Sequence, residues 1–258
     1  NLPYVRHPDY EEFMEERWLF EAINETYLPL LKVFKRLEKD NIDFKLTLSV
    51  TPPLMEMLAS ESLKNKFVRH LENLIKLCEL EIEKTEQEDP RKNKMAKFYF
   101  KEFSENLSLY SDIYNRDILK GFKEFQDKGY IEVVTCNGTH GYLPFLVEYP
   151  EAMYAQVKIG TDTYKKYFNT NPKGMWIAEC AYDKTIDVFL KDQNIQYFFV
   201  DSQAFWYADT LPRYGVYRPV ITSDGIFSFA RDPESSEQVW SSAVGYPGDS
   251  RYREFYKI

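Results

Sequence analysis

Three places in the chain set a residue able to do nucleophilic or acid–base work at the close of a run of β-forming apolar residues. IEVVTC (131–136) leads into N-G-T-H-G-Y-L-P and places His140 just beyond a strand. GMWIAEC (174–180) reads as a hydrophobic strand ending on Glu179, and YFFVD (197–201) as one ending on Asp201. A buried strand rarely finishes on an acid without a partner, because desolvating a bare carboxylate is strongly unfavourable. Parallel strands would therefore deliver Glu179, Asp201 and His140 to one rim. A converging pair of acids is what glycosidic bond cleavage requires. One carboxyl protonates the leaving oxygen, and the other attacks or activates water. Each residue also has a plainer reading: Glu179 as a structural acid bonded to loop amides, His140 as a satisfied core histidine, Asp201 as a turn or cap former before Ser202.

Other chemistries find less to work with. The chain has three histidines (His7, His70, His140) and no H-x-H or H-E-x-x-H, so a His-rich metal site is not expected. That count also argues against a metal-dependent barrel deacetylase. GYPG at 245–248 lacks a phosphate-loop pattern, and no G-x-S-x-G elbow is present. The cysteines Cys78, Cys136 and Cys180 show no paired spacing and read as free thiols, although Cys180 adjoins Glu179. Near the end of the chain, Arg231, Trp240, Tyr246, Asp249, Tyr252 and Arg253 could form a wall that bonds hydroxyls and stacks on a sugar ring. A structural loop cross-linked by Arg–Glu pairs fits that composition equally well.

The elements that must position these residues follow from periodicity. Apolar residues recur at helical spacing over 11–38, broken only at Pro29, and FKLTLSV (44–50) reads as a strand. Thr51 with the following prolines opens a helix. Residues 54–128 are charged and helix-periodic with EDPRKN dividing them, which predicts a helical excursion. Helices over about 151–168 and 183–192 then alternate with the strands already named. Continuous apolar strands separated by helices mark a parallel sheet covered on both faces, with chemistry at the strands' C-terminal ends.

Composition bounds the rest. A chain of 258 residues, 44% hydrophobic and 29% charged, suits a globular α/β protein. Net charge −8 with a pI near 5.1 argues against a nucleic-acid partner. No run approaches the roughly 18 apolar residues of a membrane span, and the opening NLPYVRHPDY is polar, so the cytoplasm is the expected location. Aromatic content is 17%, which a thick core explains and a carbohydrate site would also use.

NLPYVRHPDY with EERWLFEAINETYLPLL, then TCNGTHGYLP, WIAECAY and QVWSSAVGYPGDSRYREFY, resemble glycoside hydrolase family 57 over essentially the whole chain, in particular its branching-enzyme and related α-amylase group. That resemblance implies a distorted (β/α)7 barrel and a double displacement that retains anomeric configuration. By the match to WIAECAY it implies Glu179 as nucleophile. His140 would bind the sugar at the cleavage point, Trp18 and Trp240 would stack along the glucan cleft, and Arg231 is a further candidate for that wall. Asp201 is kept as a substrate-binding candidate and is not promoted to acid/base. No metal or other cofactor is implied. The partner expected is an α-1,4-glucan such as amylose, glycogen or starch.

Departures from the family pattern carry their own expectations. The first strand and its H-x-H-x-P are absent, with Asn1 in the place of the second histidine, and Gln203 stands where relatives carry histidine. The D-x-E-x-x-G-H-W-W motif that holds the acid/base Asp does not occur before Ile258. The expectation is therefore an incomplete barrel: its start at 1–53, a helical insertion at 54–128, and its continuation at 129–258, in a truncated record of a longer protein. Branching by glycosyl transfer is the expected reaction. α-Amylase hydrolysis and a non-catalytic glucan-binding remnant are the alternatives.

Overall fold

The computed structural model describes residues 4–11, 13–87 and 89–251. Asn1, Tyr252 and Arg253, for which the sequence sets expectations, lie outside the described residues. The chain divides into two compact units, 1–133 with 163–170, and 134–162 with 171–258.

The first unit is mainly helical. α1 (Met14–Ala22) and α2 (Leu28–Lys39) are joined by a π-helical turn over Ile23–Tyr27. The break expected at Pro29 does not occur. Leu28 N–H instead reaches back five residues to the Ile23 carbonyl, and that wider turn relieves the clash a proline ring makes inside an α-helix. The next donor in the same register would be the Pro29 nitrogen, facing the Asn24 carbonyl. Proline has no N–H, and Asn106 Nδ2 substitutes for it, donating to Asn24 O at 3.1 Å and to Asn24 Oδ1 at 2.8 Å.

β1 spans Leu46–Ser49, shorter than the 44–50 expected. Phe44 leaves the strand to stack between Phe34 and Tyr130, with centroids at 5.1 and 4.8 Å. Beyond it come α3 (Pro52–Ala59), α4 (Glu61–Thr85), α5 (Pro90–Ser108) and α6 (Ile118–Asp127). The EDPRKN break is a cap: Asp89 Oδ1 accepts from the Arg91 and Lys92 amides at 3.0 and 3.1 Å. A buried ion pair ties this unit to its N-terminal segment. Lys66 Nζ donates to Glu16 Oε2 and to the His7 carbonyl, both at 2.7 Å. Leu19, Leu28, Leu31, Phe67, Leu71 and Phe125 centre the core.

β2 (Ile131–Cys136) passes from the first unit into the second. There follow α7 (Pro150–Phe168), β3 (Gly174–Trp176), α8 (Ile186–Asp192), β4 (Tyr197–Val200), α9 (Gln203–Trp206), β5 (Val220–Ile221), β6 (Phe227–Ala230) and α10 (Pro233–Trp240). The strands of the second unit lie in the order β2-β3-β4-β6-β5. The first four are parallel, with registers Cys136↔Trp176, Met175↔Phe198 and Val200↔Ala230, and β5 is antiparallel to β6. This is a mixed α/β architecture built on a mostly parallel sheet. Its core is Met175, Ile177, Ile186, Leu190, Phe198 and Val200, with Val157 of α7. Two strand ends differ from expectation. β3 stops at Trp176 and β4 at Val200, so Glu179 and Asp201 stand in the turns beyond the strands.

Candidate active site

Four parallel strands end on the same side of the second unit's sheet, and each hands on to a residue singled out by sequence. His140 follows β2, Glu179 follows β3, Asp201 follows β4 and Arg231 follows β6.

Glu179 owes its position to backbone strain. It lies in the short 3-10 turn Ala178–Cys180 with φ 55° and ψ 21°, and Cys180 repeats the left-handed φ of 55°. Left-handed backbone is unfavourable for a side chain with a Cβ and persists only where surrounding structure enforces it. Among the described residues, the side-chain-bearing positions with positive φ other than asparagine are Arg116, His140, Glu179 and Cys180. Three of those belong to this one cluster. The turn holds the Glu179 side chain outward, 71% exposed, while Ala178 and Cys180 on either side are buried.

His140 is drawn to the same point, its Nε2 3.5 Å from Glu179 Oε1. Its Nδ1 faces Cys136 Sγ at 3.1 Å. Burial pushes the Cys136 thiol up to about 12, despite an opposing hydrogen bond from the Asn137 backbone. Cys136 is therefore a protonated thiol at working pH.

Asn137 is the residue that sequence reasoning missed. It is 0% exposed, and its side chain bonds in both directions. Oδ1 accepts from the Ala178 amide at 3.2 Å, at the root of the Glu179 turn. Nδ2 donates to the Gly141 carbonyl at 2.8 Å, closing the loop that carries His140. Gln156 of α7 clamps the outside of that loop: its Oε1 accepts from Thr139 N at 2.9 Å, and its backbone carbonyl accepts from Gly138 N at 2.7 Å. α7 approaches closely because Gly160 lacks a side chain; a Cβ there would fall 2.2 Å from the Cys136 carbonyl oxygen. A polar residue directly after a buried strand, three short of a histidine, was the available signal for Asn137.

Asp201 performs the capping role its plainer reading describes, with Oδ1 accepting from Gln203 N at 3.1 Å. It also acts electrostatically beside Glu179. Burial raises the Cys180 thiol above its ordinary range, Arg231 opposes this by charge and by a side-chain hydrogen bond, and the Asp201 and Glu179 carboxylates reinforce the rise. Cys180 thus sits amid one cation and two acids. Arg231 is anchored through its backbone, its N–H donating to Val200 O at 3.0 Å.

Trp240 closes α10 at 62% exposed, and Trp18 belongs to α1 of the first unit, at 43% exposed. Asp249 of the C-terminal wall is engaged by its neighbour Arg251, whose Nε donates at 3.0 Å. Among the described residues no cluster of His, Cys, Asp and Glu could hold a metal ion, and no helix is long and apolar enough to cross a membrane.

The cluster can offer an exposed carboxylate nucleophile, an imidazole beside it and a guanidinium for hydroxyls. The sequence model described as "Glycosyl hydrolase family 57" matches residues 1–257. A 1,4-alpha-glucan branching enzyme of Thermococcus kodakarensis is 36% identical, the match covering 100% of this chain and 41% of the relative. The crystal structure of the alpha-amylase AmyC from Thermotoga maritima is 56% identical with a TM-score of 0.93, covering 100% of this chain and 49% of that one. A GH57-type branching enzyme from Pyrococcus horikoshii is 39% identical with a TM-score of 0.87, with the same coverage. The chain thus spans about half the length, or less, of the relatives it matches.

Proposed function

The chain belongs to glycosyl hydrolase family 57, and from that premise we propose that it carries the nucleophile of a retaining enzyme acting on α-1,4-glucans. Glu179 attacks the anomeric carbon as the bond to the leaving glycosidic oxygen breaks, giving a covalent glycosyl-enzyme; a general acid protonates that oxygen and, as its conjugate base, later takes the acceptor's proton. An acceptor hydroxyl then displaces Glu179 from the opposite face, and two inversions restore the starting configuration. No residue of this chain is assigned as general acid; Asp201, whose Oδ1 accepts from the Gln203 amide, is kept as a substrate-binding candidate. Arg231 and His140 are the proposed partners of sugar hydroxyls. Trp18 and Trp240, whose indoles are solvent-exposed, are proposed stacking surfaces.

The observation that carries this reading is the Glu179 turn. Consecutive left-handed residues present one exposed carboxylate beside His140. A purely structural acid would be expected to turn inward onto buried amides.

Transfer to the 6-hydroxyl of a second glucan, making an α-1,6 branch, is the reaction we take as primary. Hydrolysis is the second reading, favoured by the likeness to the Thermotoga α-amylase. Both are tested on amylose with the full-length protein. Branching lowers iodine colour without a matching rise in reducing ends, whereas hydrolysis raises them in proportion. Glu179→Gln should abolish turnover and leave glucan affinity within about tenfold. Undiminished turnover in that variant would sink the nucleophile assignment, and binding without turnover in the unaltered protein would mark a glucan-binding remnant.

A further inference from the structure

The chain Glu179–His140–Cys136 has a direction that hydrogen-bond chemistry decides. A carboxylate accepts hydrogen bonds and cannot donate them. With Glu179 Oε1 3.5 Å from His140 Nε2, a lone pair on Nε2 would set two acceptors against each other, so Nε2 carries the hydrogen. In the neutral ring Nδ1 then holds the lone pair and needs a donor. The group facing it is the Cys136 thiol, at 3.1 Å. That thiol has one hydrogen and two acceptors in reach: Asn137 Oδ1 at 3.3 Å, which also receives the Ala178 amide on its other lone pair, and His140 Nδ1, the nearer of the two at 3.1 Å. Burial keeps the thiol protonated, so it is available as a donor.

We propose that Cys136 is a positioning residue whose S–H donates to His140 Nδ1 and fixes the imidazole in the tautomer that presents Nε2–H to Glu179. The residue lies inside the end of β2, shut off from solvent, and works only through the ring. A neutral donor orients the carboxylate while leaving its charge for attack, which an imidazolium would partly quench. The catalytic consequence rests on the reading of Glu179 as nucleophile; the tautomer itself does not.

The test compares Cys136→Ser, which keeps a donor, with Cys136→Ala and with Cys136→Val, which fills the space without one. All are made in the full-length protein. In histidine-labelled protein, long-range nitrogen–proton correlation reads the tautomer, with the His140 signal assigned by its loss in His140→Ala. The expected result is a neutral Nε2–H ring in the unaltered protein, lost in the Ala and Val variants. Ala and Val should lower kcat by about tenfold to a hundredfold with KM held within about threefold, the scale of one lost hydrogen bond, and Ser should recover most of kcat. A packing role predicts the opposite order, Val above Ser, and that order overturns the proposal. So does a neutral Nδ1–H ring in the unaltered protein. Survival of activity in Glu179→Gln would instead remove the nucleophile reading and leave the tautomer assignment standing.

Discussion

Replacing Asn137 by alanine should damage the site and the fold together, and the size of both effects follows from its bonds. The side chain donates to Gly141 O at 2.8 Å and accepts from Ala178 N at 3.2 Å, with longer contacts to Gln156 Oε1 at 3.4 Å and Cys136 Sγ at 3.3 Å. Truncation strands the buried Ala178 amide and the half-buried Gly141 carbonyl. Each unsatisfied group costs about 1–3 kcal/mol, so the expected destabilisation is roughly 2–5 kcal/mol. Asn137→Asp preserves shape and keeps an acceptor for Ala178 N. It turns the 2.8 Å contact with Gly141 O into a repulsion between acceptors and buries a charge, so it should be at least as harmful. The Ala178 amide anchors the strained Glu179 turn, and the Gly141 carbonyl closes the His140 loop. Loss of kcat should therefore exceed what the unfolded fraction explains, by about tenfold or more for a misplacement on the ångström scale. The assay pairs denaturant unfolding with kcat on amylose, measured where both variants remain folded. Stability within 0.5 kcal/mol (about the scatter of neutral surface changes) and kcat within about twofold would refute the reasoning.

Asn106→Ala removes the donor that stands in for the missing Pro29 N–H and should lower stability by about 1–3 kcal/mol in denaturant unfolding. Pro29→Ala in that background should restore part of the loss. Gly160→Ala drives a Cβ to 2.2 Å from the Cys136 carbonyl oxygen, so α7 or the end of β2 must shift. A cost above about 2 kcal/mol and a fall in kcat are expected. On the alkaline side, the Cys136 thiol is pushed up to about 12 by burial, against about 8.5 in an unfolded chain. Its contribution is fully present below the unfolded value. It is lost as pH rises from about 8.5 toward 12, because the unfolded chain sheds the proton first. Unfolding free energy should therefore fall with pH more steeply in the unaltered protein than in Cys136→Ser, by up to about 1.4 kcal/mol per pH unit. Tyrosines such as Tyr110, Tyr114 and Tyr182, also raised by desolvation, cancel in that difference.

The legible parts of this molecule are those where one local signal dominates. The parallel strands β2, β3 and β4 were readable because IEVV, GMWI and YFFV are continuous apolar runs separated by helix-periodic stretches. His140 and Glu179 were readable as strand-end residues, and the structure brings them together. Less legible were features set by tertiary partners. Pro29 signals a broken helix, and only the distant Asn106 shows why the helix continues as a π turn. WIAEC looks like uninterrupted strand, because hydrophobicity reports burial and carries no mark of the left-handed turn at Glu179. Asn137 is polar and lies beside a glycine, the composition of an ordinary loop, and its value comes from two backbone groups, one of them in another turn. Asp224-Gly225 is a short hairpin signal in the sequence. Gly225 takes φ 87°, closing the β5–β6 turn through the Thr222 carbonyl.

The central claim is that Glu179 bonds covalently to the sugar. Its most direct test is to trap that intermediate on the full-length protein with a slow 5-fluoro-α-glucosyl fluoride, digest it, and locate the added mass by peptide sequencing. The account predicts one glucosyl adduct on Glu179, absent from Glu179→Gln; an adduct on any other carboxylate, or turnover of the reagent with no adduct in the unaltered protein and undiminished turnover in the variant, would contradict it.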